Sequence, residues 1–160
     1  MARRKSLNGL QRELRGLLLS IREGDNDPGE KARAHLECAR QSLDCFDDAA
    51  GAAGDAREAL RLACDCGADP SPYRSMLFRA LFRAGNFGEL IDLADETGHN
   101  EAEGTLWSGM ARFCVRGEFP TLKGSDLPLI PPDTLFEYAL LAHRHGFTRL
   151  ARMAAANARS

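Results

Sequence analysis

The feature that most restricts what this chain can fold into is its dense punctuation by helix stop and start signals. The clearest is Arg83-Ala84-Gly85-Asn86-Phe87-Gly88-Glu89-Leu90. Glycine permits left-handed backbone where one helix ends. Asn86 then stands at a helix start, with Glu89 three residues later in capping-box spacing. Phe87 and Leu90 open a new apolar face. The same spacing recurs at Asp55 with Glu58, Asn100 with Glu103, and Thr134 with Glu137, while Asp27-Pro28-Gly29-Glu30 and Ser71-Pro72 supply cap-plus-proline starts. Alanine and leucine dominate the apolar residues and β-branched residues are scarce. Such a chain reads as all-α.

The signals predict about eight helices. A first runs from about Ser6 to Glu23, with Leu7, Leu10, Leu14, Leu17 and Leu18 on one face. A long second runs from Pro28 to about Ala49, and the small residues Ala50 to Gly54 read as the turn after it. Asp55 to Cys66 follows, then Pro72–Ala84, Phe87–Thr97, Glu101–Arg116, a helix from Asp133 or Thr134 to His145, and Phe147–Ala158. Residues 117–132 hold Pro120, Gly124, Pro128, Pro131 and Pro132, and read as irregular with one loose turn. The chain is expected to be a single helical-repeat domain over 1–160. Residues 1–26 form an N-terminal helix that caps or dimerises, and 27–160 form repeat hairpins.

Gly54, Gly85, Gly117 and Gly146 recur roughly 30 residues apart, near the period of two-helix repeats. Ala50, Leu81, Phe113 and Ala142 each stand four residues before such a glycine, and Ala59, Leu90, Leu122 and Leu150 follow it. The unit from Leu77 through Leu81-Phe82-Arg83-Ala84-Gly85-Asn86-Phe87 to Leu90 resembles the middle of a tetratricopeptide repeat. The pattern is degenerate: Phe78, Asp47 and Met110 fall where the first helix expects a small residue. The resemblance covers about Arg40 to the C-terminus. It implies antiparallel hairpins stacked as a short right-handed α-solenoid. Cys66-Gly67-Ala68-Asp69-Pro70-Ser71 is similar to the turn of ankyrin repeats, but the Thr-Pro-Leu-His signature of that family is missing.

No catalytic constellation emerges. A formal net charge of -2 carries no global nucleic-acid or membrane signature. No run of about 18 apolar residues occurs, so no transmembrane span is expected. The basic start Ala2-Arg3-Arg4-Lys5 before the leucine face reads as the exposed end of an amphipathic helix, with a presequence-like or surface-seeking helix as the alternative. Five cysteines in no framework spacing point to reduced thiols and a cytoplasmic protein. Cys64-x-Cys66 and His143-x-His145 place their side chains about 200° apart on a helix, which suits no tetrahedral metal site. Asp44, Asp47 and Asp48 read as a solvated acidic face. No catalytic residue, metal or cofactor is assigned, and no small-molecule substrate is expected.

The resemblance also implies a concave groove lined by the first helices of successive hairpins. Asp44, Asp48, Ser75 and Ala111 map to it, and the partner-binding set is Arg79, Phe82, Arg83, Trp107, Cys114, Phe136, Leu140 and His143. Large apolar groups there would suit a helix or extended segment of a protein partner. In size and repeat number the chain is similar to tetratricopeptide-like chaperones of bacterial type III secretion. Lysine and asparagine, which some relatives use to clamp a C-terminal carboxylate, are absent from the mapped positions. The expected function is therefore a non-enzymatic interaction scaffold or chaperone-like adaptor, with a homodimer possible. The alternative is a nucleic-acid-associated or regulatory helical domain that uses the basic N-terminus and the arginines.

Overall fold

A computed structural model describes residues 2–97 and 101–159, with side chains from residue 9 onward. Asn100, and with it the Asn100–Glu103 cap, lies outside the described residues, as do the side chains of Arg3, Arg4, Lys5 and Leu7. Among the described residues there are eight α-helices and no strand. They are α1 (Ala2–Glu23), α2 (Pro28–Asp44), α3 (Ala49–Asp65), α4 (Ser71–Ala84), α5 (Phe87–Glu96), α6 (Ala102–Val115), α7 (Pro132–Arg144) and α8 (Thr148–Ala158). The all-α expectation holds. The chain groups into two compact units, Met1–Ala80 and Leu81–Ser160.

In the first unit α1 packs on α2 and α2 on α3. Its core is built largely from alanine: Ala32, Ala39, Ala52, Ala56, Ala59 and Ala63 have no exposed surface. Tyr73 of α4 closes on Ala32, Ala59 and Ala63, with Leu36, Leu60 and Leu62 packed around them. Side chains this small let helices approach closely but bury little area each, at about 25 cal/mol per Å². Helix starts therefore matter, and α2 has the one expected: Asp27 accepts from Gly29 N at 3.1 Å with Pro28 in the first turn.

The expected turn at Ala50–Gly54 is not a turn. These residues lie inside α3, and the reversal comes earlier, at Cys45–Asp48. Asp47 takes the left-handed conformation (φ 50°) that a glycine would otherwise supply. Asp48 then caps α3, accepting from Gly51 N at 2.9 Å. A Cβ on Gly51 would come within 2.2 Å of the Asp48 carboxylate, so a larger residue there would make this cap shift. Asp55 is consequently no cap either, and sits in the second turn of α3.

The second unit pairs α5 with α6, α6 with α7, and α7 with α8. Its recurrent turn is real but differs from the periodic one. Gly85 N donates to Phe82 O and Asn86 N to Leu81 O; Gly146 N donates to His143 O and Phe147 N to Ala142 O. Both are Schellman ends with glycine at positive φ (76° and 83°). Gly67, after α3, closes in the same way through Cys64 O and Ala63 O. Gly117 does not: its φ is 145° and α6 ends in extended backbone at Arg116. The recurring turn thus falls at Gly67, Gly85 and Gly146, and the nearly even spacing through Gly54 and Gly117 is not structural. Asn86 makes no side-chain cap bond, and its turn is held by the backbone pair alone.

Residues 117–131 are irregular apart from one 3-10 turn, Leu127–Leu129. The segment is nonetheless tightly seated. A Cβ on Gly109 of α6 would meet Pro120 Cβ at 2.8 Å, so glycine is what lets the loop lie against α6. Tyr138 of α7 donates its hydroxyl to Pro120 O at 2.7 Å from the other side.

Two substitutions separate the roles of the α2–α3 corner. Asp48→Ala removes a cap and should destabilise by about 1 kcal/mol. Asp47→Gly relieves the left-handed residue and should leave stability unchanged or raise it by up to about 1 kcal/mol. Urea midpoints of the two variants check both signs.

Candidate partner-binding surface

The mapped groove residues divide by unit and by burial. Arg79, with Asp44, Asp48 and Ser75, belongs to the first unit; the others belong to the second. Arg79 is buried and donates to Asp44 at 2.9 Å. The acidic cluster is thereby accounted for structurally: Asp44 pairs with Arg79, Asp47 makes the corner and Asp48 caps α3. Trp107 and Ala111 have no exposed surface, so they are core residues and not groove-lining ones. Helical periodicity marks an apolar face, but it does not distinguish a face packed on a neighbour from one lining a groove.

Phe82 is half-buried, between Trp107 at 5.5 Å and Phe87 at 5.7 Å between ring centroids. Edge-on contacts of this kind contribute roughly 0.5–1.5 kcal/mol beyond burial. Arg83 grips Glu137 of α7 through Nε at 2.9 Å and a second nitrogen at 2.5 Å. Cys114 is exposed near the end of α6, and partial burial raises its thiol pKa above the ordinary value.

Phe136, Leu140 and His143 of α7 are brought together, and polar anchors explain how. Thr134 donates to Glu103 Oε1 at 3.0 Å, and Trp107 Nε1 donates to the same oxygen at 3.3 Å. Glu137 receives Arg83, and Tyr138 reaches Pro120 O. Three side chains on one side of α7 are therefore fixed inward at hydrogen-bond distance. By the 100° helical step, positions 136, 140 and 143 must then face away. Phe136 is 49% exposed, Leu140 is half-buried and His143 is exposed. Thr134 and Glu137, expected to form a capping box, are instead tertiary ligands one turn inside the helix.

Sequence reading missed two further features. One is an aromatic group at the end of α6: Phe113 meets Phe119 at 5.0 Å and His145 at 4.8 Å, and Phe119 stacks on Phe147 at 4.4 Å. Each of these residues lies within four positions of Gly117 or Gly146, the signal that could have found the cluster. The other is a buried ion cluster in the first unit. Asp55 Oδ1 receives both Arg22 and His35, each at 2.9 Å. Arg15 donates to Cys38 O at 2.9 Å and to Ser42 at 3.3 Å. Cys38 lies beneath with no exposed surface, and desolvation pushes its thiol up despite Arg15 nearby. A thiol held neutral and out of solvent is poorly placed to act as a nucleophile.

Among the described residues no three His, Cys, Asp or Glu side chains gather as a metal site, and no helix is long and apolar enough to cross a membrane. Comparison with known proteins finds no match among family models, curated proteins or solved structures.

Burial raises the Tyr138 phenol to about 12, so its neutral form is favoured in the fold. An acid whose folded pKa exceeds its unfolded value of about 10 stabilises the fold below pH 10 and loses that contribution as pH rises toward 12. In a Tyr73→Phe background, phenolate absorbance should appear only near pH 12 or on unfolding. Tyr138→Phe should cost about 1 kcal/mol at neutral pH and flatten stability between pH 10 and 12.

Proposed function

We propose that the chain is a non-catalytic, cytoplasmic helical adaptor that holds an apolar segment of another protein, with α7 supplying the contact. The observation that carries this reading is the outward stripe of Phe136 and Leu140, continued by His143, on a helix whose opposite side is fixed by Glu103, Arg83 and Pro120. A large aromatic held outward on a rigid helix costs little entropy to engage, which is the usual character of an interface anchor. Packing between consecutive helices supports a tetratricopeptide-like hairpin arrangement, and the glycine ends after α3, α4 and α7 fit it. A bacterial chaperone-like role is the specific form of this reading.

The nucleic-acid alternative would use the basic N-terminus and the arginines, and six of those arginines have acceptors within the protein. Arg15, Arg22, Arg79 and Arg83 all donate to acceptors within the protein, and Arg40 and Arg61 pair with acids on their own helices.

Selection from a displayed peptide library on the immobilised full chain tests the proposal. Enriched peptides should carry apolar residues at i, i+3, i+4 and i+7. Their affinity should fall at least tenfold in Phe136→Asp/Leu140→Asp, with helical circular dichroism unchanged and little dependence on salt. Affinity that is indifferent to both substitutions, or that collapses with salt as phosphate contacts do, would remove the α7 assignment.

A further inference from the structure

The most apolar surface of the first unit is left uncovered. Along α1, Leu10, Leu14, Leu17 and Ile21 are 61%, 50%, 64% and 37% exposed. Their spacings alternate four, three and four, and Leu7 continues the sequence three residues earlier. That is the seam of a helix meeting another helix, since a mean period of 3.5 keeps a stripe facing a single partner. The stripe is not needed to hold α1 in place. Gln11, Arg15, Leu18 and Arg22, also one face of the helix, do that: Gln11 reaches Cys45, Arg15 reaches Cys38 O, Arg22 reaches Asp55, and Leu18 packs with Ala34 and Cys38.

We propose that this stripe is the interface of a homodimer in which two copies of α1 pack antiparallel. The charge distribution selects both the partner and the direction. The helix starts with Arg3, Arg4 and Lys5, while its last turn and the following residues carry Glu23, Asp25 and Asp27 beside Arg22, whose own charge is met by Asp55 and Glu23. A parallel copy would set like charges against like at both ends. An antiparallel copy sets the basic start of one chain against the acidic end of the other, twice over, as a two-fold interface requires.

The register follows from the seam. Leu14 lies across from the partner copy's position 17, and Leu10 across from its position 21, so four apolar layers close symmetrically. Counted on in the same register, position 4 falls opposite position 27, just past the end of α1 at Glu23 and two residues from Asp25. The stripe amounts to a few hundred Å² per chain, the size of patch that marks an interaction site on a monomer. Doubled, it stays below the ~1,200 Å² at which stable specific interfaces begin, so the dimer should be weak and dissociate on dilution. This interface is separate from α7 and does not depend on the adaptor reading.

Light scattering on the full chain reads the outcome directly. The mass should be twice 17.5 kDa at tens of micromolar and fall toward the single chain on dilution. Leu14→Glu/Leu17→Glu should be monomeric at the same concentration, with dissociation at least a hundredfold easier and circular dichroism unchanged, since both positions face solvent in the single chain. Arg4→Glu should weaken the dimer several-fold, and adding Asp25→Arg should restore it. A wild-type mass of one chain at every concentration overturns the proposal and leaves the stripe to a different occupant. A dimer that survives the double glutamate variant overturns the interface, and a charge swap that fails to restore association overturns the antiparallel direction.

Discussion

One carboxylate oxygen does much to organise the first unit. Oδ1 of Asp55, buried on α3, receives Arg22 from α1 and His35 from α2, so three helices meet at a single atom. A desolvated carboxylate is costly unless paired, and losing one partner of a buried pair typically costs 3–5 kcal/mol. The surrounding alanines slide past one another at little cost, because each buries so little. Asp55 tolerates no such sliding. It sets the rotation of α1 through Arg22, Arg15 seven residues earlier confirms that rotation on Cys38 O, and the leucines are left on the solvent side.

The second unit divides its labour in the same way. Apolar residues such as Trp107, Leu90, Met110 and Leu135 supply the buried area, while Glu103 and Glu137 decide how α7 is turned. Glu103 serves two donors from two helices, Trp107 and Thr134. The long irregular segment completes the arrangement, because Pro120 is held between the bare backbone of Gly109 and the hydroxyl of Tyr138. A loop with many prolines is thereby a structural wedge.

Helix existence was legible from residue pattern alone, since periodicity and proline starts act locally. Six of the eight helices fall within four residues of their expected bounds. The exceptions flank one corner: α2 ends at Asp44 and not Ala49, and α3 starts at Ala49 and not Asp55, because Ala50 to Gly54 resembles a turn when only residue size is read. The true corner depends on Asp47 adopting a conformation its residue type rarely takes, which sequence reading does not weigh. Capping boxes at Asp55/Glu58 and Thr134/Glu137 were misleading for a related reason. A carboxylate three residues after a cap candidate has the same spacing whether it bonds the backbone or a distant arginine. Phe136 and Trp107 show the same ambiguity at the candidate surface: both are large aromatics on a helix face, and only the Glu103, Arg83 and Pro120 contacts separate the outward one from the core one.

The alanine core of the first unit also bears on how this sequence can drift. Ala32, Ala56, Ala59 and Ala63 have no exposed surface, and a longer side chain at any of them would have to be accommodated inside a closely packed core. Most single-nucleotide changes at an alanine codon introduce valine, threonine, proline, aspartate or glutamate, each of which overpacks the core, breaks a helix or buries a charge. Serine and glycine remain. Variation in this half of the molecule should therefore concentrate on its arginine-bearing surface, while the alanine positions stay nearly fixed in any lineage that retains the fold.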